Sequence, residues 1–92
     1  MADLDQKRRT VRVLELLTES FEAHCRGDGE GFRRALDEAV ALDAFAVSGI
    51  RGGITIGEIP SPERDWLAWT EYVAVNREGL ARMEAEEREA GA

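Results

Sequence analysis

Apolar positions recur with helical period in three stretches, divided by two clusters of glycine. At 100° per residue, Val13, His24, Leu17, Thr10, Phe21, Leu14, Cys25, Thr18 and Val11 share an arc of about 160°, with Glu15, Arg8, Arg26, Glu19 and Arg12 opposite them. This predicts a helix over about 4–26. Asp3 is its N-cap, Gln6 completes a capping-box-like pair, and Gly27 is placed to end it in the left-handed conformation. A second apolar arc of Leu42, Ala35, Ala46, Ala39, Phe32, Leu36 and Val40 predicts a helix over 29–46. The connection between the two is short, so they should pack antiparallel, and the alanines permit close approach.

The third predicted helix spans 62–88, with Ser61 as N-cap and Pro62 at its first position. Trp66, Trp69, Val73, Asn76, Leu80 and Met83 follow a 3-4-3-4-3 spacing, the seam of a coiled-coil-like pairing. The full apolar arc runs about 220° from Tyr72 to Leu67, broad enough for two neighbours or a second chain. Past Met83 the chain is polar all round, which predicts a solvated, fraying tail over 84–92.

Between Val47 and Pro60 the character changes. All four isoleucines lie there (Ile50, Ile54, Ile56, Ile59), Ile54-Thr55-Ile56 alternates with strand period, and Gly52-Gly53 suits a turn. A β-hairpin over 47–59 is expected, with an extended irregular segment as the alternative. An isolated hairpin is marginal in water and must pack on the helices or pair with another copy. The predicted fold is mainly α, one domain over 1–92: an antiparallel helical hairpin, the 47–59 segment and a long third helix.

Composition narrows the function classes. Leu, Ile, Val and Phe make up about 23% of the chain, above the roughly 20% below which charged chains stay disordered. A net charge of -7, from twelve basic and nineteen acidic residues, repels phosphate backbones and argues against nucleic acid. No apolar run reaches the roughly 18 residues of a membrane span, and the acidic start Met1-Ala2-Asp3-Leu4-Asp5 does not read as a secretory signal. One cysteine, Cys25, and one histidine, His24, exclude an internal disulfide and a multi-histidine metal centre. The expected setting is the cytoplasm.

Candidate chemistry is sparse. Each helix carries one strongly polar residue on its apolar side: His24, Asp43 and Asn76. In a straight hairpin Asp43 lies roughly 20 Å from His24, and Asn76 can approach one of them but not both. The three therefore make no common site. His24 reads as a helix-terminal histidine and Cys25 as a small buried hydrophobe. Asp43 caps a turn near a helix end, or pairs with an arginine. Asn76 fixes the register of a helix pairing. The segment Gly27-Asp28-Gly29-Glu30-Gly31 places carboxylates where phosphate would sit, and Gly49-Ile50-Arg51-Gly52-Gly53 lacks the Lys-Ser/Thr of a P-loop. Glu19 and Glu22 lack a second metal-binding motif.

The expected function is a small acidic interaction module without catalytic activity, cofactor or metal, acting as a homodimer or docking on a larger protein. Its candidate interface residues are Leu16, Ile54, Ile56, Trp66, Trp69, Tyr72, Val75 and Asn76. The alternative is a small-molecule-binding protein or minor enzyme, with His24, Trp66, Trp69 and Tyr72 lining a pocket under 47–59. An acidic inhibitor or antitoxin masking a basic surface is the third reading.

Overall fold

The computed structural model describes residues 2–91 and places them in three helices: α1 (Ala2–Cys25), α2 (Gly29–Thr55) and α3 (Trp66–Gly91). α1 ends as its sequence requires. Gly27 takes φ 77°, which lets Asp28 N donate to Ala23 O at 2.9 Å and Gly27 N to His24 O at 3.0 Å, a Schellman closure. Asp28 then caps α2, its carboxylate accepting from Gly31 N at 2.8 Å.

α2 is broken at Asp43, whose φ of -161° and ψ of 85° interrupt the helix for one residue. The first arm, 29–42, runs antiparallel to α1, as Arg12 facing Glu38 at 3.8 Å shows. At the break, Asp43 lies beside Gln6 and Arg9 near the start of α1. The second arm, 44–55, returns along α1. Val47 and Ile50 enter the core with Val13 and Leu14, and Ile54 comes to share a groove with Leu17 and Phe21. A straight helix would have carried Ile54 about 16 Å past Asp43, away from those partners.

The expected strand segment is therefore corrected: among the described residues there is no strand, and 47–55 is helical. Val47, Ile50 and Ile54 recur at i, i+3 and i+7, which is helical spacing. The Ile54-Thr55-Ile56 alternation is incidental, since Ile56 ends up 70% exposed. Gly52-Gly53 makes no turn. The turn falls at Gly57, with φ 83°, where Glu58 N donates to Gly53 O at 2.9 Å. Gly53 instead admits Ile59, whose Cδ1 would lie 2.6 Å from a Cβ at that position.

α3 also begins later than expected. Ser61 caps only the turn over 62–64, accepting from Arg64 N at 3.3 Å. Asp65 caps the helix itself, accepting from Ala68 N at 3.1 Å. The helix continues to Gly91, through the stretch expected to fray. Along α3, Trp66 stacks on Phe21 at 5.4 Å, Trp69 Nε1 donates to Thr18 Oγ1 at 3.0 Å, and Lys7 Nζ donates to Asn76 Oδ1 at 2.9 Å. These pairs run in opposite order, so α3 is antiparallel to α1. α2 and α3 each pack on α1, and their backbones do not approach one another. α1 is thus the central helix, covered on two sides.

That placement explains a second correction. Leu16, expected as an exposed contact residue, is 1% exposed. The estimate of one apolar arc assumed one neighbour, whereas α1 has several.

Candidate functional site

The concavity with the most apolar lining is a groove of about 610 Å³ at the end of α1. Leu17, Ser20, Phe21, His24 and Cys25 form one wall, Phe32 and Leu36 of the first arm a second, and Arg51 and Ile54 of the second arm a third. Pro62 and Glu63 close one edge and Trp69 contributes to the floor. The break at Asp43 builds this groove, because only the returning arm brings Arg51 and Ile54 opposite Phe32. A larger depression of about 720 Å³ involves only Gly29, Glu30, Arg33, Arg34 and Asp37. Those residues share the first turns of one helix, so it is open surface.

The ligand residues expected from the sequence are only partly gathered. His24 and Trp69 line the groove, with His24 tilted over Phe32 at 5.5 Å. Trp66 lies across Phe21 from it, in a separate shallow hollow with Cys25 and Arg26. Tyr72 packs against Trp69 at 6.2 Å and does not line the groove. Trp69 is 0% exposed, so it belongs to the core rather than to a contact surface. Cys25 is exposed rather than buried, because α1 ends there and no other element covers it.

Asp43 joins both readings of its role. Its carboxylate accepts from Ala46 N at 3.0 Å, capping the second arm. It also accepts from Gln6 Nε2 at 3.1 Å and lies 3.5 Å from Arg9 Nε. The Ala46 N–H, reinforced by Gln6 and Arg9, holds its carboxyl below the usual 3.8 despite opposing desolvation. Asn76 is engaged within the chain, donating to Tyr72 O at 2.8 Å and accepting from Lys7. As the spacing required, His24 and Asp43 lie at opposite ends of α1, with Asn76 toward the Asp43 end.

Phe32, Leu36 and Arg51 are groove residues that the sequence reading did not single out. Phe32 and Leu36 had an i, i+4 signal on the second apolar arc. Arg51 had none, since its position depends on the reversal at Asp43. Among the described residues, no group of three or more His, Cys, Asp or Glu is arranged to hold a metal ion, and no helix is long and apolar enough to cross a membrane.

Apolar side chains also reach solvent outside the groove. Phe45 is 89% exposed beside the break, with Val40 and Leu42 partly exposed near it. Leu67, Val75 and Ile56 are exposed elsewhere. Comparison with family models, curated proteins and solved structures finds no match for the chain.

Proposed function

We propose that the chain is a small acidic protein–protein interaction module, a homodimer or an accessory subunit docking on a larger protein, without catalytic activity of its own. The observation that carries this reading is Phe45, a large ring held almost wholly in water at the outside of the α2 reversal. Burying such a ring gains about 1.5–3 kcal/mol, roughly ten- to 150-fold in affinity. Ile56 and Val75 remain candidate contacts, whereas Leu16 and Trp69 are already committed to the core. The test is light scattering after gel filtration, together with partner capture, for wild type and Phe45→Ser. The variant should keep its helicity and lose association at least tenfold. Equal association by both proteins would defeat the proposal.

The groove supports a second reading, small-molecule binding, because its volume of about 610 Å³ falls in the range of ligand sites, roughly 300–1,000 Å³. His24 and Arg51 would orient a ligand against the walls of Phe32 and Ile54. Thermal-shift screening of small apolar acids against wild type and Arg51→Ala tests it. A stabilisation lost in the variant supports this reading, and no stabilisation by any compound removes it.

A further inference from the structure

We infer that Asp43 is a hinge at which α2 opens into one continuous helix, so that residues 44–91 are exchanged between two copies of this chain. The inference deepens the self-association reading and rests on it.

The reversal of α2 occupies a single residue with non-helical backbone. Its flanks, Val40-Ala41-Leu42 and Ala44-Phe45-Ala46, contain no glycine or proline, and alanine and leucine favour helix strongly. The apolar register resumes in the same phase beyond Asp43, which is the one charged residue of α2 on that face. Counted as a straight helix at 100° per residue, Ala35, Ala39, Leu42, Ala46, Ile50 and Ile54 share an arc of about 120°. Two arms that only ever packed separately would have no need to keep one phase.

What holds the elbow closed is local. The Asp43 carboxylate accepts from Ala46 N, approaches Arg9 and accepts from Gln6. Straightening gives up that cap and restores the backbone bonds that one helix end and one helix start otherwise forgo. The remaining contacts of 44–91 with α1, including the Trp69–Thr18 bond and the Phe21–Trp66 stack, are available equally from a second copy. Exchange of an identical element is a low-cost route to a dimer, and a short hinge connection favours it. The open form also places Phe45, 89% exposed at the hinge, beside the crossing of the two straightened helices, where a second copy can cover it.

The experiment refolds the chain from denaturant at low and at high concentration and measures mass by light scattering. Glu15→Cys and Arg77→Cys, in a Cys25→Ser background, replace the ion pair that joins α1 to α3 at 2.9 Å, and a short bis-maleimide then links the two positions. Exchange predicts a dimer formed at high concentration that dissociates slowly on dilution and gives covalent dimers on a denaturing gel. Inserting Gly-Ser-Gly after Leu42 should lower the dimer fraction at least tenfold, and Asp43→Ala should raise it. If the insertion costs helicity, Asp43→Ala alone decides. A dimer whose links stay within each chain overturns exchange and leaves surface association standing. A monomer at every concentration overturns exchange and leaves only a different protein as partner.

Discussion

Trp69 is sealed in the core, and its indole N–H has one partner, the Thr18 hydroxyl at 3.0 Å. That hydroxyl donates in turn to Leu14 O at 2.8 Å, so it serves as acceptor for the ring and donor to its own helix. Thr18→Val preserves shape and removes the acceptor, leaving the indole N–H unpaired away from water. The expected cost is about 1–3 kcal/mol, and each kcal/mol lowers Tm by about 4–8 °C in a domain of this size. Trp69→Phe removes the same bond from the other side, together with part of the ring packing. In the double variant no N–H remains to be orphaned, so the two costs should fall short of adding by about 1–2 kcal/mol. Urea unfolding of all four proteins, followed by far-ultraviolet circular dichroism, measures that coupling without relying on tryptophan fluorescence. Additivity within about 0.3–0.5 kcal/mol would refute the bond, and with it the register of α3 on α1.

Three further outcomes follow from placement and charge. Leu16→Ala should destabilise by about 2–5 kcal/mol, whereas Val75→Ala, at a position 55% exposed, should stay within about 0.5 kcal/mol; chemical denaturation separates them. Cys25, exposed at the end of α1, should react with a maleimide in the native state, and protection until unfolding would contradict its placement. The lowered Asp43 pKa, caused first by the Ala46 N–H and then by Gln6, means the folded state prefers the carboxylate more than the unfolded state does. Its stabilisation is full above the unfolded value and is lost as pH falls through the lower folded one. The urea midpoint of wild type should therefore drop more steeply below about pH 4 than that of Asp43→Asn, which retains a capping side chain.

Features governed by local chemistry were legible in the sequence. Gly27 ends α1, and Trp66, Trp69, Val73 and Asn76 face α1 along the expected seam, because caps and period depend on neighbours within a few residues. Leu16 was not legible, since an arc drawn on one helix does not reveal how many neighbours cover it. The Asp43 break was hidden for the opposite reason. Asp43 stood out as a carboxylate on an apolar face, near a helix end, but its flanks favour helix and the apolar phase is kept beyond it, so nothing local to the chain marks a full reversal there. The break appears only when Gln6 and Arg9, thirty or more residues away in sequence, supply partners for the carboxylate. The groove inherits that dependence: Phe32 and Ile54 face each other because α2 turns back. A straight α2 would separate those two residues by about 33 Å, and within one chain there would be no groove. In an exchanged dimer Arg51 and Ile54 of the other copy rebuild the missing wall, so an occupant of the groove fits the closed monomer and the exchanged dimer alike and does not by itself select between them.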